Sequence, residues 1–320
     1  MKKIILSIIL VLIIIVAGFA MIKSGKKGEV DNGKIQIVVS NFASYDFVRA
    51  ILGENDNVEL NFILGPGKDT HSYEPTAQDL IKIQKADLFV YIGGEAEKWA
   101  DKVLDADTNR PKKVICIADY VDTIEEQEID GAEPEEEEEE EEGAFDEHIW
   151  TSPANAIKMM EVLEKEIQQI DTANATKYNE NAQKYISQIR DVDSQIQEIV
   201  DNKVRDRLIF ADKMPMQYFI NYYNLKVSAA FSGCSTETEP SASTIAYLED
   251  KVKQEKIPVV LYIELNDGRV AKTIANEVGE ETEALQIQTL HNVSKDDFEN
   301  GETWVSLMTR NLEVLRKALQ

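Results

Sequence analysis

The sequence predicts an α/β fold of two lobes, each a mostly parallel four-stranded sheet with flanking helices, joined by a long helix. Short β-rich runs alternate with helical stretches in both halves of the chain, which is typical of parallel strands connected by crossover helices. Between the halves, residues 154–204 contain no proline or glycine, as expected for long helices. A length of 320 residues suffices for about two domains.

The first half contains four short runs rich in Ile, Val, Leu and Phe. They predict strands at residues 35–40, 58–64, 88–92 and 114–118. The second run ends at Gly65-Pro66-Gly67, a sequence that favours a turn. Helices are predicted from the apolar residues Tyr45, Phe47, Val48 and Ile51, and over residues 76–86.

The second half repeats this pattern. Strands are predicted at residues 208–210, 227–231, 259–264 and 285–290, and helices at 216–223, 241–256, 268–278 and 303–319. The stretch 153–204 reads as two helices broken near Asp171-Thr172. We therefore expect an N-terminal segment (1–33), a first lobe (34–173), a linking helix (174–203) and a second lobe (204–320), with ligands bound at the carboxyl ends of the strands.

The N-terminus predicts export from the cytoplasm. Two lysines precede residues 4–22, nineteen residues without a charge, which is long enough to span a bilayer. We interpret residues 1–33 as a signal or membrane anchor and linker, either cleaved or retained. No cysteine follows the apolar run, so we expect no lipid attachment there. The expected location is extracytoplasmic, at the cell surface or in the periplasm.

Acidic residues dominate the charge of the chain. The net charge is −25, and sixteen of the acids lie within residues 122–147, where there is no Lys or Arg. Such a balance argues against a nucleic-acid partner, which needs clustered basic residues. Eight successive glutamates repel one another, so we expect 122–147 to be a disordered loop. Our hypothesis is that this loop concentrates cations near the binding cleft.

The chain has three histidines, and each follows a predicted strand or precedes a predicted helix. His71 lies in the loop after the second strand, His148 lies between the acidic run and a helix, and His291 follows the last strand. A single histidine in such a place is most often structural. Three of them at positions that can face one crevice favour a metal site, because imidazole suits zinc and similar ions and a carboxylate can complete the shell.

Three motifs resemble the metal-specific solute-binding proteins of zinc and manganese ABC importers. They are Asp69-Thr70-His71-Ser72-Tyr73-Glu74-Pro75-Thr76, residues 146–156 around His148, and Glu239-Pro240-Ser241. The resemblance extends from about residue 35 to the C-terminus. It implies two α/β lobes bridged by a long rigid helix, with one metal ion held between them.

The resemblance also implies a set of ligands. His71 and His148 match the two ligands of the first lobe. The third ligand, a His or Glu in the family, falls near Phe210-Ala211-Asp212, and the fourth, commonly an Asp, falls near His291. We therefore expect His71, His148 and His291 to bind the metal, with an acidic group or water in the remaining position. The candidate acids, in order, are Asp212, Glu239 and Glu264.

The predicted function is capture of zinc in the cleft and delivery to an ABC-type import permease, by a protein that is a monomer and not an enzyme. Three imidazoles favour zinc, whereas Mn²⁺ prefers more oxygen ligands; a manganese-binding protein is the alternative. A zinc hydrolase is a weaker alternative, since the sequence has no His-Glu-x-x-His motif. A role in cell adhesion, sometimes ascribed to this family, is a further alternative.

Tryptophan and cysteine residues are interpreted as structural. Trp99, Trp150 and Trp304 are expected in the core, and Trp150 is also placed to wall the cleft. Cys116 and Cys234 are assigned to different lobes, so a disulfide between them is conceivable but would restrain lobe movement.

Overall fold

The computed structural model describes residues 33–106, 110–133, 144–233, 235 and 239–320. Eight strands form two parallel four-stranded sheets, which confirms the predicted fold class. The strands are β1 Ile35–Val39, β2 Val58–Phe62, β3 Leu88–Tyr91, β4 Val114–Cys116, β5 Arg207–Lys213, β6 Lys226–Phe231, β7 Val259–Ile263 and β8 Glu283–Ile287. The strand orders, β2-β1-β3-β4 and β6-β5-β7-β8, are equivalent in the two lobes.

Ten α-helices flank the sheets in the described part of the chain. They are α1 Phe42–Leu52, α2 Ala77–Lys85, α3 Lys98–Ala106, α4 Pro153–Ile170, α5 Ala175–Asp201, α6 Gln217–Tyr222, α7 Ala242–Glu255, α8 Arg269–Val278, α9 Lys295–Glu299 and α10 Trp304–Leu319. Helix α2 begins at a capping box, in which Thr76 and Asp79 exchange hydrogen bonds between side chains and backbone amides. Helices α3 and α9 were not predicted from the sequence.

A single long helix, α5, links the two lobes. Its 27 residues span roughly 40 Å at 1.5 Å per residue. The chain bends before it at Asp171, whose carboxylate accepts hydrogen bonds from Asn174 Nδ2 at 2.8 Å and Tyr178 Oη at 2.6 Å. The break between α4 and α5 therefore lies where the sequence predicted it.

The largest apolar core continues from the first lobe through α4 and α5 into the second lobe. Asp46 of α1 is fully buried where this core passes between the lobes. Its carboxylate accepts hydrogen bonds from Arg49 Nη2 at 2.6 Å, from Trp304 N at 2.7 Å and from the hydroxyl of Tyr185. Three elements, α1, α5 and α10, thus meet at one carboxylate. Continuous packing explains why residues 35–320 form one compact unit.

Residues 122–133 and 144–147 form an ordered segment, here named the strap. The two parts pair with each other, since Glu125 and Phe145 form an antiparallel bridge. The first part then runs beside β6, where Ala229 N donates to Asp130 O at 3.2 Å and Glu133 N donates to Ala230 O at 3.0 Å. Backbone pairing of this kind corrects the prediction of disorder for these residues. The glutamate run lies outside the described residues.

The predicted N-terminal signal or anchor also lies outside the described residues. Within the described part of the chain, no helix is both long enough and apolar enough to cross a bilayer.

Candidate metal centre

His71, His148 and His291 converge between the lobes. One ring nitrogen from each lies within 4.8 Å of the others. The ring centroids are 5.8 Å apart for His71 and His148, 5.2 Å for His71 and His291, and 5.3 Å for His148 and His291. The three residues come from three separate loops, so this cluster exists only when both lobes are folded and packed together.

His71 is presented by the loop between β2 and α2. Its backbone amide donates to Asp69 Oδ1 at 2.9 Å, which closes a tight turn just before the histidine. The neighbouring Thr70 hydroxyl donates to the His291 carbonyl at 3.2 Å, so this loop also contacts the second lobe. The Nε2 atom of His71 is buried and has no hydrogen-bond partner among the described residues.

His148 follows the strap and is buried. Its backbone amide donates to Asp146 Oδ1 at 2.8 Å, and its Nδ1 lies 3.1 Å from the same oxygen. A carboxylate at Nδ1 holds the proton there and leaves the Nε2 lone pair facing the other histidines, as outer-shell carboxylates do in metal sites. The indole of Trp150 packs edge-on against the ring with centroids 5.4 Å apart, so Trp150 lines the cleft.

His291 lies in the turn after β8, where Leu290 adopts a φ of +56°. The buried Glu264 carboxylate holds this turn by accepting hydrogen bonds from the Thr289 amide at 2.8 Å and hydroxyl at 3.0 Å. His291 Nδ1 lies 3.1 Å from His148 Nε2, and its Nε2 is buried without a hydrogen-bond partner among the described residues. Two of the three rings therefore have a buried nitrogen without a hydrogen-bond partner among the described residues, and the one on His291 faces Asp69.

Burial favours the uncharged form of His71 and His291. It is the largest cause that lowers the pKa of His71 well below its ordinary value, and repulsion from His291 and His148 adds to it. Burial also lowers the pKa of His291, although the carboxylate of Asp69 opposes this change. Neutral imidazole is the form that binds a metal ion.

Two charged residues at the cluster, Asp69 and Lys213, were missed as candidate site residues by the sequence analysis. Lys213 Nζ pairs with Asp69 Oδ2 at 2.9 Å, and Asp69 Oδ1 lies 3.6 Å from His291 Nε2, a separation too long for a hydrogen bond. Burial opposes ionisation of Asp69, but its interactions with His291 and Lys213 outweigh burial and lower its pKa. The clue available in the sequence was position: Asp69 precedes His71 by two residues, and Lys213 ends β5.

None of the three predicted acids joins the histidines, which corrects that part of the prediction. Asp212 is buried and accepts hydrogen bonds from the amides of Lys213 at 2.8 Å and Ile263 of β7 at 3.3 Å. Glu264 supports the His291 turn. Glu239 is exposed and forms an ion pair with Arg269. The acidic residue that lies beside the clustered histidines is instead Asp69, 3.6 Å from His291.

The cavity beside the histidines is small, with a volume of about 10 Å³. Two buried acids, Glu97 and Glu147, line it together with Asn41, Thr70, Ile92, Trp150 and the three histidines. Glu97 accepts hydrogen bonds from the amides of Ile92 and Gly93. Burial, with repulsion from Glu97 among the further causes, raises the pKa of Glu147 to about 8. The space suits a single ion or water molecule.

The donor set fits zinc. Two nitrogens bound tetrahedrally at 2.0–2.1 Å from zinc are about 3.4 Å apart, and the 3.1 Å between His148 Nε2 and His291 Nδ1 is close to that value. Three clustered imidazoles, of which His71 has an unsatisfied buried Nε2, form a site that a borderline dication would complete.

Cys116 does not belong to the cluster of the three histidines. Cys116 donates from Sγ to the Ile92 carbonyl at 3.4 Å, and burial raises the pKa of its thiol. Cys234 lies outside the described residues, so the disulfide remains a prediction.

Comparisons with known proteins agree with this arrangement. Residues 37–318 match the family described as "ZnuA: Zinc-uptake complex component A periplasmic". The zinc-binding lipoprotein AdcA of Streptococcus pneumoniae strain R6 is 32% identical over 291 residues, which cover 89% of this chain and 56% of AdcA. The chain thus spans about half the length of that relative. The high-affinity zinc uptake system protein ZnuA of Bacillus subtilis is 29% identical over 96% of this chain and 97% of its own.

Solved structures show the same fold. The Zn(II)-bound ZnuA-like domain of Streptococcus pneumoniae AdcA aligns with a TM-score of 0.73 and 28% identity, covering 90% of this chain and 99% of that domain. The metal-dependent lipoprotein YcdH of Bacillus subtilis aligns with a TM-score of 0.74 and 25% identity over 89% of this chain and 99% of its own.

Proposed function

The chain belongs to the ZnuA family of zinc-uptake components, and from this premise we propose that it captures zinc outside the cytoplasm between its two lobes and delivers the ion to an ABC-type import permease. The observation that carries the proposal is the cluster of three histidines, in which His71 has a buried, unpartnered Nε2 and His148 Nε2 lies 3.1 Å from His291 Nδ1. Such atoms are costly to bury unless a ligand satisfies them.

We propose zinc rather than manganese as the cargo. All three clustered donors are imidazoles, which suit zinc, whereas manganese sites are richer in carboxylate, carbonyl and water oxygens. The names of the AdcA and ZnuA relatives support the same choice.

Reversible binding fits the site better than catalysis does. A zinc hydrolase needs an open coordination position with room for its substrate. The cavity of about 10 Å³ beside the histidines admits no organic substrate in this arrangement of the lobes. We infer a binding protein that acts as a monomer, with residues 1–33 as its export signal or membrane anchor.

The first test is a zinc titration of the metal-free protein in competition with a chromophoric chelator. We expect one tight site per chain. Replacing His71, His148 or His291 by alanine should each weaken binding by more than the roughly 10- to 100-fold typical for loss of an outer-shell group. Manganese, added as competitor, should displace zinc poorly.

The matched control is Glu239→Gln, which changes a predicted ligand that the structure places on the surface with Arg269. Its zinc affinity should equal that of the wild type. Retention of tight zinc binding by the His148→Ala variant would reject the proposed site, and zinc-dependent hydrolysis of a model ester would reject the proposed class of function.

We also propose that the glutamate run speeds capture. The run begins two residues after Glu133, which is hydrogen-bonded to β6, and ends two residues before Ala144, where the second part of the strap begins. Deleting residues 135–142 should slow zinc association at low ionic strength and spare the equilibrium affinity, because a negative field raises the local cation concentration. Stopped-flow association rates measure this effect; an unchanged rate at low salt would contradict it.

A further inference from the structure

Strand β5 delivers a positive charge to the histidine cluster. Lys213 is the last residue of β5 and its side chain is only 7% exposed. The pairing of β5 with β6 is irregular between Phe210 and Lys213, and an irregularity of this kind re-aims the side chains beyond it. As a result, Asp212 and Lys213 face different surroundings, and the ammonium group reaches the cleft.

The partner of this ammonium lies on the other lobe. Asp69 belongs to the loop that carries His71, and its two oxygens have separate contacts. Oδ1 accepts the His71 amide at 2.9 Å and faces His291 Nε2 at 3.6 Å, whereas Oδ2 accepts from Lys213 Nζ at 2.9 Å. The carboxylate therefore lies between the histidines and the lysine.

A dication that enters the cluster changes this balance. It is attracted to the Asp69 carboxylate, which Lys213 already neutralises, and it is repelled by the ammonium group. The lysine charge lies close to the rings, since Lys213 Nζ is 2.9 Å from Asp69 Oδ2 and Asp69 Oδ1 is 3.6 Å from His291 Nε2. Charges interact strongly where burial lowers the effective dielectric constant. The pair is thus coupled to the occupancy of the site.

On the basis of the proposed function, we propose that Lys213 limits the zinc affinity of the site by competing with the metal ion for the carboxylate of Asp69. Lys213 is then a positioning residue and not a ligand. Lys213 lowers the zinc affinity below the value that three histidines and a free carboxylate would give. A lower affinity favours release of the ion to the permease.

The test compares zinc affinities, measured by chelator competition, for wild type, Lys213→Met, Lys68→Met, Asp69→Asn and the double variant Lys213→Met/Asp69→Asn. Methionine keeps the length of the lysine stem and removes the charge. Lys68→Met is the matched control, because Lys68 adjoins Asp69 in sequence but its ammonium group lies 5.9 Å above the ring of Tyr73.

We expect Lys213→Met to bind zinc at least about tenfold more tightly, equivalent to about 1.4 kcal/mol, and Lys68→Met to match the wild type. Asp69→Asn should bind less tightly, and adding Lys213→Met to it should give no further gain, because the competition needs the carboxylate. Lys213→Gln provides a second uncharged variant if the methionine variant folds poorly, as judged by its thermal unfolding.

Unchanged or weaker binding by both Lys213 variants would overturn the inference, and weaker binding would make the lysine a ligand instead. A full gain in the Asp69→Asn background would also overturn it, since the lysine would then act by repulsion alone. Each of these outcomes leaves the proposed function intact as long as the wild type binds zinc and His148→Ala does not.

Discussion

Asp130 fastens the strap to the second lobe, and replacing it by asparagine should loosen that attachment. The carboxylate accepts hydrogen bonds from Arg207 Nη1 at 3.0 Å and Ser228 Oγ at 2.8 Å, forms an ion pair with Lys251 at 3.1 Å and accepts the hydroxyl of Tyr247. Asparagine has a similar shape but loses the charge and one acceptor oxygen.

The size of the effect follows from the pKa of Asp130. Burial raises this pKa, but the hydrogen bonds from Tyr247, Ser228 and Lys251 lower it by a larger amount. The pKa therefore falls from 3.8 to about 2. That difference corresponds to about 2.4 kcal/mol at 1.36 kcal/mol per pKa unit. Since the side chain is 40% exposed, solvent screening reduces the expected loss in free energy of unfolding to about 1 kcal/mol.

The sign of the pH dependence is fixed by the lowered pKa. The folded state favours ionised Asp130, so its contribution is fully present above the unfolded value of 3.8 and is lost as the pH falls through about 2. The difference in stability between wild type and Asp130→Asn, measured by urea unfolding followed by circular dichroism, should be constant above pH 5, about half as large at pH 3 and small at pH 2.

Hydrogen exchange gives a local measurement. The amides of Ala229 and Glu133 hold the strap against β6, and both should exchange about fivefold faster in Asp130→Asn, the factor expected for about 1 kcal/mol. The control is Asp206→Asn, which removes a single exposed ion pair with Lys226 and should leave these amides unchanged. Equal exchange in both variants, or a stability difference that does not shrink in acid, would refute the reasoning.

Two further variants test other contacts. Tyr185→Phe removes a hydroxyl that hydrogen-bonds to the buried carboxylate of Asp46, so the free energy of unfolding should fall by about 1–3 kcal/mol in a urea titration; an unchanged midpoint would show that the junction of α1, α5 and α10 does not need this bond. Gly94→Ala places a methyl group 2.5 Å from Glu147 Cγ, whereas Gly279, also at positive φ, has no atom within 4 Å of the added carbon. Thermal unfolding should show Gly94→Ala to be about 1–3 kcal/mol more costly than Gly279→Ala, and equal losses would mean that backbone strain alone determines both.

Much of the fold was predictable because its signals are local. The core strands carry continuous apolar runs, and the four predicted strands of the second half overlap β5 to β8. The residues at which the strands end were less predictable. The last strand was predicted to reach residue 290 but ends at Ile287, because Thr289 bonds to Glu264 instead of to a neighbouring strand. Such a tertiary contact has no periodic signal in the sequence.

The histidines were predictable because loops at the carboxyl ends of parallel strands meet at one edge of each sheet. The acidic residue beside the histidines was not predictable from the sequence. Asp212 and Lys213 are adjacent, and successive residues of a strand point to opposite faces, so an error of one residue exchanges a carboxylate for an ammonium group. The irregular pairing after Phe210 that decides between them is visible only in the sheet.

The acidic segment shows a similar limit. Its composition predicts repulsion, but Asp130 and Glu133 are held by β6 and by the start of α7, where Glu133 Oε1 accepts the amide of Ser241. Composition averages over a segment and does not identify the few residues that find basic or backbone partners.

The position of Trp150 gives the molecule an optical reporter of its own. The chain has three tryptophans. Among the described residues, only the indole of Trp150 packs against one of the clustered histidines, with its ring centroid 5.4 Å from that of His148. Trp99 packs on Tyr73 and Phe89 within the first lobe. A Trp99→Phe variant would therefore simplify the intrinsic emission and leave a fluorophore beside His148, so that occupancy of the cleft can be followed without a label.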